Sequence, residues 1–166
     1  MGESSEDVLK RYIQDAIAAE ATTEDQLNGL ADQEQDGAVK AVLQQYALKT
    51  RSHYQRLASY LERLGGKPST TKSLLAHIFG VNPKTTRSGH GTKDGSVRNL
   101  MMAFAIKSNE LAMYEALASI AEASGDPDAV SLARTIQKED EVDAQAVWQL
   151  LPDAALKAQR QAEPLP

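Results

Sequence analysis

The sequence predicts an all-α protein, folded as a single four-helix bundle. Apolar residues make up 42% of the 166 positions and aromatics only 5%, with alanine and leucine recurring throughout, which favours helices over strands of branched and aromatic side chains. Four long stretches space their apolar residues three and four apart, so that each presents one continuous helical face. Polar or glycine-containing turns separate them, and the chain length fits one domain with one sizeable core.

The first helix is predicted to start at Ser4 or Ser5, with Glu6 and Asp7 in its first turn to meet free amides and the helix dipole. Its stripe runs Leu9, Ile13, Ala16, Glu20, Thr23, Leu27 and Leu30, with Glu20 at the middle. The polar turn DQEQDG follows, from Asp32 to Gly37. A second helix then carries Val39, Leu43, Tyr46, Thr50, His53, Leu57, Tyr60 and Leu64, and Gly65, Gly66 and Pro68 end it. From Lys67 to Ser96 the chain is rich in Gly, Ser, Thr, Lys and Pro, around one apolar patch, SLLAHIFGV, long enough for a short extra helix. Some thirty residues either cross the length of the bundle, making helices two and three parallel, or form a loop. The third helix is expected over about Val97 to Ala123, with Leu100, Met101, Phe104, Leu111, Tyr114, Leu117 and Ile120 on its broad face and Lys107 and Glu110 at the edge. Gly125 ends it, and Asp126 with Pro127 forms an N-cap and first position for the fourth helix. There the stripe reads Ala129, Leu132, Ile136, Glu139, Asp143, Ala146 and Leu150. The bundle is thus expected over residues 1–152, and 153–166 as a polar, fraying C-terminal tail.

Composition excludes several classes of function. The formal charge is -5 and no basic block of five or more residues occurs, which argues against nucleic acid and anionic membrane as partners. The absence of cysteine excludes disulfides, thiolate metal sites and cysteine nucleophiles, leaving oxygen and imidazole as strong ligands. The acidic N-terminus has no apolar core and no run of 18 apolar residues occurs, so a cytoplasmic protein is expected. No glycine-rich phosphate loop, nucleophile elbow or paired Cys/His zinc motif is present. Tyr46, Tyr60 and Tyr114 read as core residues with satisfied hydroxyls, Trp148 as a partly buried or contact residue, and His77 and His90 as crossover positions.

The polar residues that interrupt the stripes all fall near mid-helix: Glu20, Thr50 with His53, Lys107 with Glu110, and Glu139 with Asp143. If the helices pack side by side, four carboxylates meet one lysine and one imidazole. An unpaired buried carboxylate costs about several kcal/mol, so this layer needs a cation, a proton or water. A bound metal is the simplest remedy, and oxygen with nitrogen donors suits iron, manganese or zinc. Two alternatives stand beside it: a metal-free layer neutralised by Lys107, and a rotated fourth helix whose Glu139 and Asp143 face solvent like the neighbouring Lys138, Asp140 and Glu141.

The order Glu, His, Glu, Glu over the four helices resembles the ferritin-like di-iron carboxylate bundles, whose pattern is Glu, Glu-x-x-His, Glu, Glu-x-x-His. More narrowly, IAAE at Ile17–Glu20, HYQRL at His53–Leu57, LGGKP, NELAMY, KEDEVD and the crossover resemble the stress-induced YciE/YciF (DUF892) family over roughly Val8 to Leu151. The resemblance implies a ferritin-like bundle in which Glu20, His53, Glu110 and Glu139 are metal ligands and Asp143 substitutes for one. It also implies iron or manganese, one or two ions, with oxygen or peroxide chemistry, a stress role and a homodimer. Thr50 and Val142 stand where the family pattern has a Glu and a His. Lys107 is a further departure, an ammonium beside the ligand set.

Overall fold

In the computed structural model, described over residues 2–69 and 94–162, the chain forms four long helices. They are α1 (Ser5–Gln33), α2 (Gly37–Arg63), α3 (Gly95–Ala123) and α4 (Pro127–Ala162). The expected crossover patch SLLAHIFGV, with His77, and His90 lie outside the described residues.

The ends follow local chemistry. Ser4 caps α1 in a reciprocal box, its hydroxyl accepting from the Asp7 amide while the Asp7 carboxylate accepts from the Ser4 amide. Asp36 caps α2 by accepting from the amides of Ala38 and Val39. Gly65 closes α2 at φ 78° and Gly125 closes α3 at φ 70°, a left-handed backbone that glycine adopts without steric cost. Asp126 caps α4 by accepting from the Ala129 amide and also accepts from the Tyr60 hydroxyl at 2.6 Å.

Contacts between the ends fix the topology. Glu34, after α1, accepts from the Ser96 hydroxyl at 2.6 Å and the Asn99 amide at 2.9 Å at the start of α3. At the other end of the bundle the Ser124 hydroxyl donates to the Ser5 carbonyl. Helix α3 therefore runs antiparallel to α1 and parallel to α2, as a crossover spanning the bundle requires. The strongest packing joins α1 with α2 and α3 with α4, so the fold is two hairpins laid face to face.

Two apolar clusters fill the core. One, near the start of α1, includes Leu9, Ile13, Ile17, Leu57, Leu117 and Ile136; the other, towards its end, includes Leu27, Leu43, Leu100, Ile106 and Val147. Between them every helix contributes buried polar groups: Glu20 and Thr23, Thr50 and His53, Lys107 and Glu110, Asp140 and Asp143.

Three expectations are corrected. Lys107 and Glu110, placed at the edge of the third face, are fully buried at its centre, while Met101 is exposed. The face of α4 is turned by about one residue: Ala129, Ala133, Ile136, Asp140, Asp143, Ala144 and Val147 are buried, and Leu132 and Glu139 are only partly so. The polar tail expected from residue 153 is helical to Ala162. Pro152 removes one helical hydrogen bond, but Leu151 and Ala154 pack on the second cluster, Ala158 is buried and Lys157 pairs with Asp36, which holds the extra turns.

The Glu34 carboxylate also accepts from the Asp36 amide ahead of α2, so Glu34→Ala is expected to lower stability by about 1.5–3 kcal/mol, the range for hydrogen bonds to a charged group. A urea melt of the variant against the parent protein checks this.

Candidate metal centre

Helical spacing brings the polar layer together. Glu20 stands at the centre of α1, His53 one turn after Thr50 on α2, Glu110 one turn after Lys107 on α3, and Asp140 one turn after Ile136 on α4. Glu20, His53 and Asp140 are fully buried, and one ligand atom of each lies within 4.8 Å of the other two. The His53 Nδ1 atom is 3.5 Å from Glu20 Oε1 and 3.8 Å from Asp140 Oδ1. Six buried atoms of the layer have no hydrogen-bond partner: Glu20 Oε2, His53 Nδ1, Glu110 Oε1 and Asp140 Oδ2, and beside them Thr23 Oγ1 and Asp143 Oδ2. Unpartnered buried acceptors are costly, and a cation among them removes the cost. One imidazole nitrogen with carboxylate oxygens fits a borderline-hard divalent metal.

The sequence-predicted ligands separate into two groups. Glu20 and His53 are in the triad, and Glu110 is buried one step away, bound to Lys107. Glu139 lies on the outer side of His53: its Oε2 accepts from Nε2 at 2.9 Å, and Arg56 grips both its oxygens at 3.1 and 2.6 Å. With Nε2 donating to this carboxylate, the neutral ring turns its Nδ1 lone pair inward. That is how a carboxylate orients a metal-binding histidine. Asp143 pairs with Lys49, and its backbone carbonyl accepts from the Tyr46 hydroxyl. Thr50 is buried 3.5 Å from the Lys107 ammonium, and Val142 is exposed.

Asp140 is the site residue that stripe counting passed over. The alternative stripe Ala133, Ile136, Asp140, Ala144 and Val147 has the same helical period, and its small residues signal close packing against a neighbouring helix. Lys107 supplies a second signal, since a lysine in mid-stripe requires an acid from a facing helix. Its Nζ donates to Glu110 at 2.8 Å and Asp140 at 2.9 Å.

Charge and burial act against each other here. Burial disfavours the Lys107 ammonium, but Glu110, Asp140 and Glu20 outweigh it and raise the pKa. Burial raises the pKa of Glu110 and of Asp140; Lys107 opposes the rise and Glu20 adds to it. For His53 burial disfavours the imidazolium, yet the adjoining Glu20 and Asp140 carry its pKa upward. Burial also raises Tyr114 well above its usual value, helped by Glu20, whose carboxylate accepts its hydroxyl. Glu139 is the opposite case: against some burial, Arg56 and then His53 hold it below the usual range.

A pH dependence follows for the metal-free protein. Glu110, Asp140 and His53 all hold protons in the fold that the unfolded chain releases, so their contribution to stability is complete below the unfolded values. It is lost as pH rises, for Glu110 from 4.5 towards about 8. Chelator-treated protein should therefore unfold at lower urea concentration at about pH 8 than at about pH 5.

The comparisons agree with this architecture. The family profile described as a domain of unknown function, DUF892, matches residues 4–160. No curated protein matches. Among solved structures, the E. coli stress protein YciF superposes with TM-score 0.81 at 18% identity, covering 94% of this chain and 99% of that one. A dodecameric thioferritin from Bacteroides fragilis, related to bacterioferritin, gives 0.74 at 18% identity over 98% and 95%. Rhodobacter capsulatus bacterioferritin, solved with a metal-free dinuclear site and haem iron, gives 0.67 at 14% over 95% and 94%. At these identities the likeness shows the ferritin-like fold.

Proposed function

The chain belongs to the DUF892 family, and we propose that it is a stress-associated ferritin-like protein whose bundle core binds a divalent metal through Glu20, His53 and Asp140. The observation that carries the reading is the convergence of three fully buried ligand atoms from three helices, each residue having an unpartnered buried atom. Glu139, held by Arg56, orients His53 from outside the donor set. Glu110 lies close enough to feel the charges of Glu20 and Asp140, and Asp143, engaged by Lys49, is left outside the donor set.

Iron or manganese is the metal the donors suit, and either would supply a change of oxidation state for reaction with oxygen or peroxide. The chain's own residues bury the centre, keep His53 in the tautomer that presents Nδ1, and place the Tyr114 hydroxyl on Glu20. The stress role is drawn from the likeness to YciF, described as a stress protein. The same reading places the protein in the cytoplasm as a homodimer, for which exposed Leu48, Val142 and Trp148 offer apolar surface.

One observation favours a second reading, a metal-free structural or interaction bundle: Lys107 already compensates two of the three fully buried acids. Elemental analysis of protein purified from metal-supplemented cells separates the two. Metal should be retained by the parent protein and lost from an Asp140→Asn, His53→Ala variant, while Glu139→Gln should weaken metal affinity by about 10–100-fold, as for the supporting partner of a metal-bound histidine. Metal-free parent protein whose melting ignores chelator would leave the second reading standing.

A further inference from the structure

Lys107 is a cation built into the donor set. Its side chain is fully buried, and its Nζ bridges Glu110 Oε2 at 2.8 Å and Asp140 Oδ1 at 2.9 Å, with Thr50 Oγ1 at 3.5 Å. Asp140 is shared: the same Oδ1 that receives the ammonium lies 3.8 Å from His53 Nδ1. The pocket and the lysine thus meet at one carboxylate.

We propose that the Lys107 ammonium stands as a fixed second cation, which limits the bundle core to one divalent ion. The inference rests on the metal-binding reading and sets its capacity. Three fully buried carboxylates, Glu20, Glu110 and Asp140, face one buried ammonium, so once a bound cation has displaced their protons the group carries two negative charges with His53 neutral. One divalent ion balances them. A second would leave the layer with a surplus of positive charge in a water-excluded site, beside an ammonium that cannot withdraw. Lys107 already engages one oxygen of each carboxylate beside it, Glu110 Oε2 and Asp140 Oδ1, so a second ion would have to share both groups with the ammonium through Glu110 Oε1 and Asp140 Oδ2. Thr50, one turn before His53, brings a hydroxyl and no charge, so α2 adds no carboxylate to the layer to offset another ion.

The test is a titration of chelator-treated full-length protein with manganese(II) alone, read by equilibrium dialysis and by electron paramagnetic resonance. Parent protein should take one equivalent per chain, with the spectrum of an isolated ion. Lys107→Met should take two, with a spectrum showing magnetic coupling between neighbouring ions, because Glu110 and Asp140 are released together. The double variant Lys107→Met, Glu110→Gln should return to one. If Lys107→Met needs metal to fold, its recovery by circular dichroism should require two equivalents; a chain that folds with one, or stays unfolded with excess manganese, overturns the proposal. One equivalent in both parent and Lys107→Met, or two in the parent, overturns the lysine's role while metal binding stands. No binding by any variant removes the metal reading and this inference with it. Binding by Lys107→Met alone would uphold Lys107 as a resident cation and overturn metal binding by the parent protein.

Discussion

The ammonium of Lys107 and the carboxylates of Glu110 and Asp140 form the interaction on which the middle of this bundle depends. Each group taken singly is costly to bury; together they join α3 to α4 and leave α1 and α2 to supply Glu20, Thr50 and His53 around them. The two apolar clusters lie on either side of this layer. Their size explains how the bundle tolerates a costly centre: burial of leucine and isoleucine at both ends keeps four helices in register while the charges between them remain only partly satisfied.

The asymmetry of the layer organises its chemistry. On the outer side of His53, Glu139 and Arg56 are part-exposed and both Glu139 oxygens are bonded, a water-facing ion pair of modest energy that fixes the ring. On the inner side, Glu20 and Asp140 have acceptor atoms without partners. A histidine held between a settled carboxylate and two unsettled ones is set to bind a cation or to hold a proton. This places function in the side-chain layer and not in the fold, which the chain shares with ferritin-like proteins at less than 20% identity.

Much of the candidate site was legible. Glu20 and His53 interrupt otherwise apolar stripes on helices with clear caps, so their burial follows from periodicity alone. Glu110 was legible as a member of the layer, and its neutralisation by Lys107 as one of the alternatives. On the fourth helix, Glu139, Asp140 and Asp143 are all acids within two turns, and a period between three and four residues accommodates two registers one residue apart. Side-chain pattern alone does not choose between them. The choice came from outside the helix: Lys107 draws Asp140 inward, Arg56 holds Glu139 at the edge and Lys49 takes Asp143.

The sequence by itself determined the helical class, the four helices, the start of the first at Ser4 or Ser5, the cap at Asp126 and the stops at Gly65 and Gly125, because these depend on local dihedral preferences and on amides within a few residues. Only the tertiary structure decided the rotation of α4, the inward placement of Asp140 beside Glu20 and His53, and the continuation of the helix past Pro152. Each of these turns on contacts between residues far apart in the chain, Lys107 with Asp140, Arg56 with Glu139 and Lys157 with Asp36, and such pairings are set by how the four helices pack and not by the spacing within any one of them.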